Sequence, residues 1–250
     1  MESSARQASG TVDPHEIGRF AARAAEWWNP EGPFRPLHQI NPVRLGFIRA
    51  ELLAHFGRDP ASLHPFRGLR LIDVGCGGGL IAEPMARLGF AVTAIDADAE
   101  AIAAARAHAE AGGLTIDYRA TTAEAMAGEG ACFDAALALE LVEHVADPDV
   151  LLAAIATLVR PGGAFIGATL NRTLRSFATA IIGAEYLLGW LPRGTHDWRR
   201  FRRPSEFILG LRRNGLAATR IAGLAYDPLR GEWKLSNRLE VNYLVTATRR

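Results

Sequence analysis

Three groups of residues in this 250-residue chain are of types and spacings that could do chemistry. The first is Asp73-Val74-Gly75-Cys76-Gly77-Gly78-Gly79, an aspartate leading into four glycines within five residues. Only glycine lets backbone approach a ligand closely and take positive φ, so this loop suits a phosphate or a nucleoside. The bland alternative is an ordinary tight turn, but four glycines exceed what a turn requires. The second is Asp96, at the end of the next apolar run, whose carboxylate could accept hydrogen bonds from both hydroxyls of a ribose or sit in a buried ion pair. The third is Glu140, Glu143 and His144, at i, i+3 and i+4. One helical turn would put them on a single face. There an imidazole could take a proton near neutral pH, the set could hold a cation, or Glu143 and His144 could merely cap the following helix. Cys76 lies inside the glycine loop with no base beside it, which argues against a catalytic thiol.

Holding these groups together takes strands alternating with helices. Leu69 to Val74 is a short apolar run that breaks at the glycines, and Leu80, Ile81, Met85 and Leu88 follow at helical spacing. Ala91 to Ile95 reads as a second strand ending at Asp96, and an Ala-rich helix follows from about Asp98 to Ala111. Leu114 to Tyr118 reads as a third strand, followed by the loop Thr121 to Glu124. Phe133 to Leu139 is a fourth strand that opens into Glu140 to His144. A helix from about Asp147 to Val159 stops at Pro161-Gly162-Gly163, and Ala164 to Leu170 is a fifth strand. This alternation predicts an α/β fold, a parallel sheet with helices on both faces and a ligand beyond the carboxyl ends of the strands. Ala217 to Ile221 and Val241 to Thr248 have no long helix between them and read as an antiparallel hairpin, for seven strands in all.

Upstream, residues 1–12 read as a disordered tail and residues 13–65 as a helical cap on a core of 66–250, within one domain. Asp13-Pro14 would start an amphipathic helix through Ile17, Phe20, Ala24, Trp27 and Trp28. Pro33 to Ile40 is expected to be extended, with Asn41-Pro42 capping a second helix that carries Val43, Phe47, Ile48 and Leu52. The paired tryptophans read as packing rather than as a stack for a ligand.

Composition narrows the classes. The formal net charge is +1, so whole-surface attraction to nucleic acid is not expected. Two cysteines, Cys76 and Cys132, are too few for a disulfide framework and suit a reducing compartment. Met1 to Thr11 has no apolar core of a secretory signal, and the expected location is cytoplasmic. From Arg172 to Arg203 seven arginines face only Glu185 and Asp197, and they rim an apolar stretch with Phe177, Ile181, Ile182, Leu187, Leu188 and Trp190. That pattern fits an element lying on an anionic bilayer surface, or a lid over the site.

The glycine loop departs from the dinucleotide fingerprint, since Leu80 stands beyond Gly79 and no glycine follows at the third position. It also lacks the Gly-Lys-Ser/Thr of a phosphate loop. Asp73-x-Gly75-x-Gly77-x-Gly79, with Leu158-Val159-Arg160-Pro161-Gly162-Gly163, instead resembles the class I S-adenosylmethionine-dependent methyltransferases, with a Rossmann-like fold, over about residues 69–170. That resemblance implies that Asp73 orients the methionine amino end, that Gly75 and Gly77 line the cofactor, that Asp96 binds the ribose and that Glu124 borders the adenine. The Asn/Asp-Pro-Pro-aromatic motif of base methylases is absent after the fourth strand, which counts against a nucleic-acid substrate.

A longer series covers nearly the whole chain: Trp27-Trp28, Pro36 to Arg44, Asp73 to Gly79, Glu140 to His144, Thr169 to Arg172, Gly183 to Tyr186, Gly194 to Asp197 and Val241 to Tyr243. In that order these segments resemble the ubiquinone-biosynthesis O-methyltransferase family. The resemblance implies two O-methylations of polyprenylated phenol or catechol intermediates with S-adenosylmethionine as donor. It implies cofactor contacts at Arg44, Gly75, Asp96 and Leu139, the last standing where the family often has Met. It implies His144 as general base with Glu143 beside it or, as in metal-dependent relatives, Mg²⁺ on Glu140, Glu143 and His144. A lipid-tailed acceptor further implies a peripheral position on the inner face of the membrane through about 172–203, and association with a ubiquinone-biosynthesis complex. A methyltransferase of another small phenol and a non-catalytic cofactor-binding subunit are the competing readings.

Overall fold

The computed structural model describes residues 26–177, 198–227 and 230–250. The tail at 1–12, the helix expected from residue 13 up to residue 25, and the apolar centre of the arginine-rich segment lie outside the described residues.

Among the described residues eight strands form one sheet: β1 (Arg70–Val74), β2 (Ala91–Asp96), β3 (Asp117–Ala120), β4 (Phe133–Leu139), β5 (Val159–Leu170), β6 (Leu216–Asp227), β7 (Glu232–Ser236) and β8 (Asn242–Arg249). Their order is β3-β2-β1-β4-β5-β8-β6-β7. The first five run parallel, whereas β8, β6 and β7 add antiparallel to the β5 edge. The strand order reverses at β1 and β4, which puts the glycine loop after β1 at the switch point where open α/β sheets bind ligands.

Alternation along the strands sorts the core into two layers. Leu71, Leu137, Ile166 and Leu244 face one side, where they meet Phe47, Ile48 and Leu52 of helix α1 (Arg35–Phe56). Ile72, Ala136, Phe165 and Val245 face the other and meet Leu151, Leu152 and Ile155 of a helix over Pro148–Leu158. Period-two side chains on central strands thus produce a sheet covered on both faces.

Three expectations are corrected. Eight strands stand where seven were expected, because β7 forms within the stretch read as a loop, and Trp233 there packs beside Tyr226 of β6 at 5.4 Å. β5 starts at Val159 rather than Ala164: Val159 pairs with Phe133, and the Pro161-Gly162-Gly163 turn is a bulge in the strand, not a break before it. The third concerns Pro33 to Ile40, which is mostly helical. α1 begins at Arg35, with Pro36 in its first turn, and runs unbroken through Pro42 to a Gly57 cap at φ 59°. An internal proline loses a hydrogen bond and costs about 3 kcal/mol. Burial of Ile40, Asn41, Arg44, Phe47, Ile48, Leu52 and Leu53 along one side outweighs that cost.

Candidate functional site

The glycine loop is fastened to the end of β2. Gly75 and Cys76 both donate their N–H groups to the Ile95 carbonyl, at 2.8 and 3.0 Å. Gly77 N–H donates to Asp96 Oδ2 at 2.8 Å, and Asp98 N–H donates to the other Asp96 oxygen at 2.9 Å. Asp96 therefore shapes the loop while keeping lone pairs for a ligand. Gly75 and Gly77 hold φ of 74° and 50°, a region that a side chain would strain.

Each glycine also has a close neighbour. A Cβ on Gly75 would lie 2.9 Å from Leu141 Cδ1, and one on Gly77 would lie 2.5 Å from Trp27 Cη2. Gly78 likewise abuts Trp27, and Gly79 abuts the Tyr118 hydroxyl. The four glycines admit neighbouring side chains as well as a ligand.

Two carboxyls sit under this loop. Asp73 is buried, its Oδ2 makes no hydrogen bond, and burial together with the neighbouring Asp96 charge pushes it up to about 7. Asp96 is raised too, chiefly by burial, with the N–H groups of Asp98 and Gly77 pulling the other way. The same burial, with Asp73 and Asp96 nearby, pushes the Cys76 thiol well above its usual range, so it is a protonated packing group and no nucleophile.

The turn after β4 does not form the helical face expected for Glu140, Glu143 and His144. Glu140 takes φ 51°, the only positive φ at a non-glycine position among the described residues. That conformation swings Glu140 towards α1, where Oε1 accepts from Arg44 Nη2 at 2.5 Å; the Arg44 side chain is 5% exposed. Glu143 turns inward and accepts from the Thr169 hydroxyl at 2.7 Å. Burial, and then the Glu140 charge, push Glu143 well above the usual carboxylate range. His144 is half-buried, with its N–H on the Leu141 carbonyl at 2.9 Å. Among the described residues no three His, Cys, Asp or Glu side chains are grouped to hold a metal ion. Glu140 is committed to the Arg44 guanidinium, and Glu143 is turned inward onto the Thr169 hydroxyl where burial disfavours its ionised form, so the triad as placed does not present the oxygen ligands that Mg²⁺ takes. The other expected contacts border the loop's end of the sheet: Leu139 is the last residue of β4, half-buried, and Glu124 is in the first turn of the helix that Thr122 caps.

A family profile described as a methyltransferase domain matches residues 72–167. A ubiquinone biosynthesis O-methyltransferase of Paramagnetospirillum magneticum is 52% identical over 94% of this chain and 94% of its own length. One from Chelativorans is 53% identical over 95% of this chain and 94% of its own. The chain belongs to the ubiquinone biosynthesis O-methyltransferase family. Among solved structures, a magnesium protoporphyrin IX methyltransferase from Synechocystis with bound SAH aligns at a TM-score of 0.63 over 93% of this chain and 94% of its own, at 19% identity. That likeness supports the Rossmann-like methyltransferase fold.

Relative to the residues expected for a ubiquinone biosynthesis O-methyltransferase, the structure gathers Asp73, Gly75, Gly77 and Asp96 at one locus. It links Arg44 to Glu140, a pairing not foreseen. Sequence reading missed Trp27 on the glycine loop, Leu141 against Gly75, and Thr169 on Glu143. Surplus glycines were the signal for the first two, since residues with no Cβ point to a close neighbour as readily as to a ligand. No local signal marks Thr169.

Proposed function

We propose that this chain transfers a methyl group from S-adenosylmethionine to hydroxyls of polyprenylated phenol and catechol intermediates of ubiquinone biosynthesis, at both O-methylation steps. One observation carries the reading furthest: Leu141, in the turn bearing Glu140, Glu143 and His144, lies directly on Gly75 of the cofactor loop. Donor and acceptor ends are therefore neighbours, as in-line transfer requires.

In this reading Asp73 takes the methionine ammonium, Asp96 the ribose hydroxyls, Glu124 and Leu139 border the adenosine, and Gly75 and Gly77 cradle the cofactor. Arg44 offers its guanidinium to the methionine carboxylate. S-adenosylmethionine supplies an activated methyl on a sulfonium. His144 would accept the hydroxyl proton while bound S-adenosylmethionine would supply the methyl to that oxygen, with S-adenosylhomocysteine and a methyl ether as the products. Buried Glu143, fixed by the Thr169 hydroxyl, shapes the turn that presents His144. No step is routed through Mg²⁺. The apolar, arginine-rimmed stretch at about 172–203 supports peripheral contact with an anionic membrane surface, where a lipid-tailed acceptor resides.

The test is radiolabel transfer from S-adenosylmethionine to a short-tailed polyprenyl catechol, run with chelator and with added Mg²⁺. His144→Ala should lower turnover by about 10²–10⁴-fold with cofactor binding retained. Equal turnover of an untailed phenol would instead select the broader phenol methyltransferase. No transfer to any catechol would leave the non-catalytic subunit standing.

A further inference from the structure

Trp27 is 7% exposed, yet its indole Nε1 has no hydrogen-bond partner among the described residues. A buried N–H left unpaired costs about 1–3 kcal/mol, so a fold that keeps one is holding it for something. The ring's position says for what. It stacks on Phe34 at 3.8 Å and 10°, and its benzo edge (Cη2, Cζ2 and Cζ3) lies against Gly77, with Cβ, Cγ and Cδ2 of the same side chain against Gly78. The backbone around it is anchored. The Trp27 carbonyl meets His38 Nε2 at 2.9 Å, and the adjacent Trp28 donates Nε1–H to the Gly78 carbonyl at 2.9 Å while stacking on His108 at 3.5 Å and 3°. His108 in turn reaches the fully buried Glu83 at 2.6 Å. The two tryptophans thus differ in role. Trp28 spends its donor on fastening the segment to the loop, and Trp27, pinned beside it, keeps its donor unspent at the cofactor cradle.

We propose that Trp27 is a cofactor-binding residue, its indole N–H donating to the methionine carboxylate of S-adenosylmethionine. Resting on the cofactor assignment above, the choice of the carboxylate follows from charge. Asp73 and Asp96 can serve only the cationic and hydroxyl parts of the ligand, because a carboxylate accepts and does not donate when ionised. The anionic end needs donors, and Trp27 Nε1 is an unpartnered buried donor on a ring that lies against Gly77 and Gly78; the Tyr118 hydroxyl at Gly79 and Arg44 Nε are unpartnered as well. A rigid, dry N–H is well suited, since it loses neither rotamer freedom nor a water partner on binding.

The experiment compares S-adenosylhomocysteine with 5′-methylthioadenosine, which lacks the amino-acid end, by calorimetric titration of wild-type protein and Trp27→Phe. The variant keeps an aromatic ring and loses only the donor edge. It should bind S-adenosylhomocysteine about tenfold more weakly, the factor one charge-assisted hydrogen bond supplies, and bind methylthioadenosine unchanged. In ¹⁵N spectra of wild-type protein the Trp27 indole N–H resonance should move downfield on adding S-adenosylhomocysteine but not methylthioadenosine. That resonance can be assigned by elimination with Phe variants of Trp28, Trp190, Trp198 and Trp233, so the test survives if Trp27→Phe fails to fold. Unchanged affinity, tighter binding from a ring that blocks the cofactor, or a resonance that stays in place would each overturn the proposal. Wild-type protein that bound methylthioadenosine but not S-adenosylhomocysteine would do so as well, and uptake of neither would overturn the cofactor assignment beneath it.

Discussion

Asp73 is caught between two requirements, and its chemistry follows from that. Without a ligand it is a buried carboxyl beside a second acid, and it is raised to about 7, first by burial and then by Asp96. In the unfolded chain the same group titrates near 3.8. The folded state thus holds a proton that the unfolded state gives up, and this group's contribution to stability, full below about 4, is lost as pH rises through about 7. Asp96 and Glu143, raised for the same leading cause, act in the same direction. A cofactor that places an ammonium on Asp73 favours the ionised form, so binding near pH 6 should expel a proton. Calorimetry of S-adenosylhomocysteine binding at pH 6, in two buffers of different ionisation enthalpy, should show release of up to about one proton. The release should fade by pH 8.5 and shrink in Asp73→Asn. Identical heats in the two buffers would show that Asp73 is already ionised before the ligand arrives.

Elements decide where such residues stand, and proline and glycine mark some of their boundaries and not others. The β-α alternation, the loop at the switch point, and Asp73, Gly75, Gly77 and Asp96 were legible because strand periodicity and glycine runs are local signals. Helix α1 was not. Pro42 reads as a helix start, yet it sits eight residues into a continuous helix whose buried side, from Ile40 to Leu53, fixes its path. Nothing local reports that tertiary packing, and Pro36 in the first turn was the better start signal. Glu140 to His144 departs from a helical face for a related reason: an ion pair with Arg44, distant in sequence, accompanies a left-handed backbone at Glu140. The α1 correction makes a stability prediction. An internal proline forfeits a backbone hydrogen bond and crowds the preceding turn, so Pro42→Ala should stabilise the protein by about 1–3 kcal/mol and raise its melting temperature by several degrees. A lower melting temperature by circular dichroism would favour a helix that begins at Pro42, where proline is at home.

At the scale of the molecule the balance of charge is local rather than global. A net charge of +1 gives no long-range pull towards an anionic surface, whereas seven arginines between residues 172 and 203 against two acids do so over one segment. At the described base of that segment, Arg172 is paired with Glu206, and Arg175 with Glu240 at 2.5 Å. Beside them Leu174 and Phe177 stand exposed, at 81% and 40%. Apolar side chains next to cations at the edge of the sheet are what shallow insertion into a headgroup layer needs. No described helix is long and apolar enough to cross a membrane, so any such contact rests on this surface pattern. The protein should therefore cosediment with vesicles containing anionic lipid and much less with purely zwitterionic ones, and binding should fall as salt screens the arginines. Replacing Ile181, Ile182 and Leu188 with Ser should abolish binding at low salt while leaving turnover of a short-tailed, water-soluble catechol unchanged. Cosedimentation that survives those replacements would move the contact elsewhere. Loss of turnover on the soluble catechol would instead mark the stretch as a lid on the acceptor, because a membrane anchor has no part in converting a substrate already in water.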